Sequence, residues 1–202
     1  ELIKEKLNKF GFEKEPFLFV LSYDLSKFYI EKLSNLPKTI KFELNSNEHN
    51  KSKDIKKSKL EKFPISFEEY KKSFDYIQEQ IKSGNSYLLN LTAKTKIKTS
   101  LSLDEIYENI DAKFKLRFQN NKDDFVCFSP ERFVEIKKNK ISTYPMKGTI
   151  DATITNAQAR ILGDIKEMAE HTMVVDLLRN DLGIVGSKVR VDKFRYVEKI
   201  NA

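Results

Sequence analysis

The first part of the chain alternates apolar and polar positions in short runs bounded by turn residues. Residues 17–30 predict two short strands joined by a turn at residues 24–27, because apolar and aromatic residues dominate both arms. Residues 38–44 alternate more weakly and predict another strand. We therefore interpret residues 1–50 as a group of N-terminal strands.

A helical period replaces this alternation after Pro64. Ser66 and Glu69 have the spacing of a capping box, in which the serine side chain accepts a hydrogen bond from a backbone N–H of the first helical turn. Apolar residues then recur every three or four positions, which places them on one helix face: Phe67, Tyr70, Phe74, Ile77 and Ile81. Gly84 follows, and glycine commonly ends a helix.

The middle of the chain predicts one more helix among several strands. Residues 87–97 begin as an apolar run and then alternate, which indicates a strand. Residues 103–118 are predicted as a helix opened by Ser102 and Glu105. Further strands are predicted at residues 125–128, 133–136 and 140–144.

The last third is predicted to be mostly helical. Residues 156–162 predict a short helix, and Asp164 caps a longer one that runs to about residue 180 and ends at Gly183. Residues 189–200 are predicted to return to strand. Strands followed by helices and strands again, without strict alternation, indicate an α+β fold with largely antiparallel sheets.

Composition and length exclude two classes of protein. The single cysteine, Cys127, excludes a scaffold held by disulfides. The longest purely apolar run, residues 17–21, is far shorter than the roughly 20 residues that a membrane span needs, so we expect no membrane segment. No signal peptide opens the chain, and the expected compartment is the cytoplasm.

The net charge of +7 over 202 residues is unevenly distributed. In residues 51–62, six lysines face two acids, and almost nothing there is apolar. We interpret this run as a solvated linker. A nucleic-acid surface is the alternative, but no aromatic side chains interleave with the lysines to stack on bases. We expect no nucleic-acid partner, and the lysine-rich surface instead favours an anionic small substrate.

Two charged residues in predicted loops are candidates for chemistry. Glu131 follows a proline within residues 129–133, and it is either a positioned acid or a turn carboxylate paired with Arg132. Lys147 lies within residues 145–149, where a proline fixes the chain and a glycine allows a ligand to approach the backbone. It is either a nucleophile, if burial lowers its pKa, or part of a surface turn.

Acidic residues at the start of the last long helix are a further candidate. Glu167 and Glu170 are three residues apart, share one helix face and could hold Mg²⁺ through oxygen ligands. The alternative is that acids lie near a helix N-terminus because the helix dipole favours them there. Farther along this helix, Asp176 and Arg179 are interpreted as a salt bridge.

The order and spacing of these segments resemble the chorismate-utilising enzymes, and specifically component I of the aminodeoxychorismate synthases. The resemblance covers roughly residues 64–200. The matching strings are GNSYLLNLT at 84–92, FSPERF at 128–133, PMKGT at 145–149, KEMAEH at 166–171 and VDLLRNDLG at 175–183. It implies an α+β chorismate-binding fold with helices, in which antiparallel sheets flank a central cleft and two subdomains intertwine.

The resemblance also implies roles for individual residues. Chorismate would bind through its ring carboxylate to Mg²⁺, with Glu170 as a metal ligand and Glu167 as a nearby acid that contacts the ion or its waters. Glu131 corresponds to the general acid that helps the C4 hydroxyl leave. Gly148 and Thr149 correspond to residues that line the substrate.

Lys147 distinguishes subfamilies, because the related anthranilate and isochorismate synthases carry alanine there. The resemblance implies that Lys147 attacks C2 of chorismate and expels the C4 hydroxyl, and that ammonia then adds at C4 and displaces the lysine. The product would be 4-amino-4-deoxychorismate, for para-aminobenzoate and folate biosynthesis. A glutamine amidotransferase subunit, component II, would supply the ammonia. Anthranilate synthase component I and a non-catalytic binding module are the alternatives.

The family's catalytic domain continues beyond the position of Ala202. The continuation supplies a histidine, a second metal-ligating glutamate and further contacts to the substrate carboxylates. We therefore expect residues 1–202 to form a single incomplete chorismate-binding domain that is inactive alone. Its parts would be the N-terminal strands (1–50), the basic linker (51–62) and the N-terminal portion of the catalytic core (63–202).

Overall fold

The computed structural model describes residues 1–44 and 58–200. The chain divides into two compact units, of which the larger comprises Glu1–Asn50 with Ile110–Ala202 and the smaller comprises Lys51–Asn109. Most of the predicted basic linker, residues 51–57, lies outside the described residues. The elements in chain order are α1 (Leu2–Phe12), β1 (Phe17–Leu21), β2 (Phe28–Lys32), a 3₁₀ turn (Leu33–Asn35), β3 (Lys41–Leu44), β4 (Glu61–Phe63), α2 (Phe67–Lys82), β5 (Lys96–Lys98), α3 (Leu103–Asn109), β6 (Phe114–Gln119), β7 (Asp124–Ser129), β8 (Glu135–Lys137), β9 (Lys140–Ser142), α4 (Ala157–Gly163) and α5 (Ile165–Val185).

The predicted N-terminal hairpin is confirmed. Strands β1 and β2 pair antiparallel, with Phe19 opposite Ile30. The carboxylate of Asp24 fixes the turn between them, because it accepts hydrogen bonds from the Ser22 and Ser26 hydroxyls at 2.7 and 2.8 Å. These bonds lower the pKa of Asp24 to about 2.

The interpretation of residues 1–50 as strands is wrong for residues 2–12, because these residues form helix α1 before the hairpin. Its inward residues, Ile3, Leu7 and Phe10, have helical spacing. Phe10 is 7% exposed, and its ring centroid lies 5.4 Å from that of Phe17 in β1. Packing against the hairpin therefore buries the apolar face of α1.

Strands β3, β6 and β7 form an antiparallel sheet with β6 in the centre. The prediction of one helix over residues 103–118 is wrong beyond Asn109, where α3 ends. From Phe114 onward apolar residues alternate, and β6 gains backbone partners on both sides, which a helix there would lose. Phe118 in β6 is 2% exposed and contacts the rings of Tyr29 and Phe125 at centroid distances of 5.2 and 5.1 Å.

The smaller unit contains α2, α3 and the short β4–β5 pair. Helix α2 is capped as predicted, since the Ser66 hydroxyl accepts the Glu69 N–H at 3.1 Å. Gly84 has a φ of +76° beyond its C-terminus. Two predictions are wrong here. β4 contains the last two linker residues. Of the strand predicted over 87–97, only residues 96 and 97 pair with another described strand, as part of β5.

The C-terminal part of the larger unit supports the candidate site. Strands were predicted at 133–136 and 140–144, and the structure has β8 and β9 there in part, paired antiparallel. Helix α5 begins at a cap where Asp164 accepts the Glu167 N–H at 2.9 Å. Gly183 does not end α5; the helix continues to Val185, and the N–H of Gly186 closes it on Leu182 O at 2.8 Å. Residues 189–200 form no strand, because nothing in the described part of the chain pairs with them.

The α+β prediction is confirmed as a mixture of helices and small sheets, and every strand pair among the described residues is antiparallel. The central cleft and the intertwined subdomains stay predictions. No helix in residues 1–44 and 58–200 combines the length and apolar character that a membrane span requires.

Candidate active site

A cavity of about 940 Å³ lies within the larger unit. Its walls come from the turn after β7, the loop after β9, helices α4 and α5, and residues 195–200. Of the six residues predicted for the site, five line it: Glu131, Lys147, Gly148, Thr149 and Glu167. Glu170 is not among the lining residues. The fold thus brings together predicted site residues that are up to 36 positions apart in the chain, from Glu131 to Glu167.

A side-chain hydrogen bond joins Glu131 to the loop after β9. The Oε1 atom of Glu131 accepts the backbone N–H of Met146 at 3.2 Å. The Ser129 hydroxyl shapes the turn, since it accepts the Glu131 N–H at 3.1 Å. The alternative pairing with Arg132 is wrong, because Arg132 bonds Glu135 at 2.6 Å. The carboxylate of Glu131 is therefore held beside the residue that precedes Lys147.

Arg132 and Tyr144 also line the cavity, and both contact Glu135. The Tyr144 hydroxyl donates to the same Glu135 oxygen at 2.9 Å, and the guanidinium of Arg132 lies 4.0 Å from the centroid of the Tyr144 ring. This cluster ties the turn after β7 to the start of the loop that carries Lys147.

Lys147 projects from a loop without regular structure and is exposed. Lys147 therefore lacks the burial that was expected of a nucleophilic lysine. Thr149, two residues on, is also exposed to the cavity. Both residues are open to a molecule that enters.

Gly148 lies against Glu167 and has a backbone conformation that favours glycine. Its φ is +71°, a backbone conformation that side chains with a Cβ rarely adopt. A Cβ added there would lie 2.6 Å from Oε2 of Glu167, so the Glu167 side chain would have to shift. Glycine therefore allows the acid of α5 to pack directly on the lysine loop.

Glu167 and Glu170 converge on one cation, the ammonium of Lys166. The Lys166 Nζ atom lies 3.3 Å from Glu167 and 2.9 Å from Glu170. These bonds raise the pKa of Lys166. Two carboxylates that reach one cation fit Mg²⁺, which is commonly held by one or two carboxylates with waters and substrate oxygens. Among the described residues, no group of three or more His, Cys, Asp or Glu side chains forms a metal site by itself.

His171 lies one turn beyond Glu167 on α5 and lines the cavity. Its ring contacts that of Phe194 at a centroid distance of 5.5 Å. Burial lowers the pKa of His171, and the positive charges of Arg195 and Lys147 lower it further. All three residues line the cavity.

Sequence reasoning missed the contribution of residues 195–200, which were predicted as strand. Arg195 and Lys199 line the cavity, and Lys113 lines it as an ion pair with Glu198 at 2.9 Å. The only signal in the sequence was the mixture of charged and aromatic residues in this segment, which does not alternate as a strand would.

Comparison with known proteins places the chain among relatives of two named activities. It is 43% identical over 201 residues to an uncharacterized PabA-like protein of Pasteurella multocida, covering 97% of this chain and 61% of that protein. It is 30% identical over 145 residues to aminodeoxychorismate synthase component 1 of Salmonella typhimurium, covering 66% of this chain and 32% of that protein. It is 31% identical over 153 residues to the chloroplastic anthranilate synthase alpha subunit 1 of Oryza sativa subsp. indica, covering 70% and 26%.

The chain spans about three fifths of the length of the Pasteurella relative. No solved structure matches it. Residues 5–202 match the family described as chorismate binding enzyme. Three of the five strings on which the sequence resemblance rests contribute residues to the cavity, those at 128–133, 145–149 and 166–171. Because this match extends over nearly the whole chain, the chain belongs to the chorismate binding enzyme family.

Proposed function

We propose that this chain carries the lysine side of the active site of an aminodeoxychorismate synthase component I. The reaction converts chorismate and ammonia to 4-amino-4-deoxychorismate. The observation that carries the proposal is the placement of Lys147 in the cavity, one residue beyond the N–H that binds Glu131. A nucleophile and a carboxyl group that can donate a proton thus face the same space.

In the first step the neutral amine of Lys147 forms a bond to C2 of chorismate. The ring double bonds shift and the C4–O bond breaks. Glu131, in its protonated form, donates its proton to the departing hydroxyl, which leaves as water. The lysine nitrogen then loses one proton and remains as a secondary amine.

In the second step ammonia attacks C4. The double bonds shift back, the C2–N bond breaks and the amine of Lys147 recovers a proton. The covalent bond at C2 explains why nitrogen is directed to C4, because the intermediate carries its reactive position there. A glutamine amidotransferase subunit supplies the ammonia.

Glu170 and Glu167 are the residues of this chain that would hold Mg²⁺. When bound, the ion neutralises the ring carboxylate of chorismate and so lowers the cost of bringing the dianion into the cavity. Glu167 also packs on Gly148, which links the acidic face of α5 to the loop of Lys147.

Anthranilate synthase component I is the second candidate, because the identity to the rice enzyme equals that to the Salmonella enzyme within one per cent. Amination at C2 followed by loss of pyruvate would give anthranilate. Lys147 argues against it, since the anthranilate synthases resembled by this sequence carry alanine at this position.

Product analysis distinguishes the candidates. The intact protein would be incubated with chorismate, MgCl₂ and ammonium chloride, and the products separated by liquid chromatography with mass detection. We expect 4-amino-4-deoxychorismate. Anthranilate would assign the protein to the second candidate, and binding of chorismate without any product would assign it to the non-catalytic binding modules.

A further inference from the structure

Cationic and carboxylate side chains line the cavity in similar number. The carboxylates have partners within the protein, whereas three of the cations have no carboxylate partner among the described residues. Each lining carboxylate already accepts a hydrogen bond or ion pair: Glu131 from Met146 N–H, Asp151 from the N–H and hydroxyl of Thr153, Glu167 from Lys166, and Glu198 from Lys113. By contrast, Lys147, Arg195 and Lys199 have no carboxylate within ion-pair distance among residues 1–44 and 58–200.

Arg195 is the best fixed of these three cations. It is half-buried, and one terminal nitrogen donates to the Ile161 carbonyl at 3.2 Å. That bond ties the guanidinium to α4 and uses one of its five N–H donors. Arg195 and Lys147 both line this cavity.

A cation held in a cavity without a counter-charge attracts an anion. Guanidinium suits a carboxylate in particular, because its parallel N–H groups match the two oxygens. A hydrogen bond between charged groups contributes more than a neutral one, and more still where water is excluded. A bound dianion would pair with these cations, which have no carboxylate partner among the residues that the structure describes.

We propose that Arg195 binds a carboxylate of the anionic substrate in the cavity that contains Lys147. The identity of that substrate as chorismate, a dicarboxylate, rests on the proposed function. Lys199 also lines the cavity and adds positive charge there.

The test uses binding, so that it does not depend on turnover. The probe is 3-[(1-carboxyethenyl)oxy]benzoate, an unreactive aromatic dicarboxylate with the shape of chorismate, titrated calorimetrically into the intact protein. We expect Arg195→Gln to weaken binding by about 10- to 100-fold, and Arg195→Lys to weaken it less because the charge is kept. Arg160→Gln is the matched control: Arg160 is exposed on α4, outside the cavity, and its loss should leave affinity unchanged.

Steady-state kinetics and the melting temperature distinguish direct binding of the substrate by Arg195 from a purely structural role. Direct binding predicts a raised KM for chorismate with kcat changed less than threefold and an unchanged melting temperature. Probe affinity of Arg195→Gln within twofold of the wild type would overturn the inference. So would equal losses in kcat and melting temperature with KM unchanged.

Failure of this inference and failure of the proposed function give different results. If the wild type binds the probe through Arg195 but makes no 4-amino product, the anion site stands and the proposed reaction fails. If the wild type makes the product and Arg195→Gln has an unchanged KM, the reaction stands and the inference fails.

Discussion

The Oε1 atom of Glu131 accepts the backbone N–H of Met146 at 3.2 Å, and Lys147 is the next residue along the chain. One hydrogen bond therefore joins the turn after β7 to the loop that carries the lysine. It holds the proposed acid beside the residue that precedes the proposed nucleophile.

Removing the acid while keeping this hydrogen bond is the first prediction. In Glu131→Gln the amide oxygen can still accept the Met146 N–H, but the side chain no longer delivers a proton to the leaving hydroxyl. We expect kcat for amination of chorismate to fall by about 10²–10⁴-fold, with little change in melting temperature. Glu5→Gln, an exposed residue of α1, is the control and should keep the wild-type rate. A kcat for Glu131→Gln within threefold of the wild type would exclude Glu131 as the acid.

The contact between Gly148 and Glu167 gives a second prediction, with a natural control in the same chain. Gly148 and Gly84 have φ values of +71° and +76°, but only at Gly148 does a new Cβ meet another atom within 4 Å. Gly148→Ala and Gly84→Ala should share a backbone cost of about 1–2 kcal/mol in the free energy of unfolding. Only Gly148→Ala should also displace Glu167 or the lysine loop, and it should lower kcat/KM for chorismate by about 10- to 100-fold.

Urea denaturation and steady-state kinetics of both variants provide the measurement. Equal losses of activity in the two alanine variants would show that the contact with Glu167 has no role in the site.

The acidic face of α5 gives a third prediction. Glu170→Gln removes one of the two carboxylates that converge on Lys166. We expect the MgCl₂ concentration for half-maximal activity to rise about tenfold or more, since even groups outside the first coordination shell commonly affect metal affinity that strongly. Asp176→Asn removes an exposed carboxylate on the same helix, paired with Arg179 at 2.8 Å, and should leave the MgCl₂ dependence unchanged. An unchanged dependence in Glu170→Gln would refute its role as a ligand.

The turn at Asp24 gives a fourth prediction, about pH. The pKa of this carboxyl is lowered from 3.8 to about 2 by the Ser22 and Ser26 hydrogen bonds. Because the folded pKa lies below the unfolded one, the associated stability is fully present above pH 4. It is lost as the pH falls from about 4 to about 2.

A carboxyl-detected NMR titration checks this value directly. The double variant Ser22→Ala, Ser26→Ala should return the pKa of Asp24 towards 3.8. If the pKa stays at about 2 in that variant, the hydroxyls are not its cause.

Short-range chemistry explains what the sequence could predict. Each of the three predicted helix caps forms its expected hydrogen bond: Ser66, Ser102 and Asp164. In each, the side chain that accepts and the N–H that donates are only three residues apart. The hairpin of β1 and β2 is local in the same sense. Helix α1 has helical spacing and was within reach of the same reasoning.

Long-range pairing explains what the sequence could not predict. Residues 114–118 were assigned to a helix, although their pairing with β3 and β7 makes them the central strand of a sheet. Residues 87–95 and 189–200 have strand-like composition but no partner among the described strands, and backbone groups without a partner do not form a ladder.

In the candidate site too, features that depend on local sequence could be predicted and those that depend on long-range contacts could not. The strings around Glu131, Lys147 and Glu167 could be identified from their order along the chain, and the fold places all three in one cavity. Arg195 could not be identified, because its hydrogen bond reaches Ile161, 34 residues earlier, and depends on how the last segment returns to α4.

The covalent role of Lys147 is the central claim, and intact-protein mass spectrometry tests it most directly. A free lysine amine has a pKa near 10.4, so the site must supply a neutral amine for attack on C2. With chorismate and MgCl₂ but no ammonia or glutamine, we expect the protein to gain the mass of chorismate less one water, with the adduct mapped to Lys147. Lys147→Ala should form neither adduct nor 4-amino product, and Lys147→Arg should fail as well, because guanidinium is not a nucleophile. Amination of chorismate at C4 by Lys147→Ala at the wild-type rate, with no adduct on the parent protein, would contradict the account.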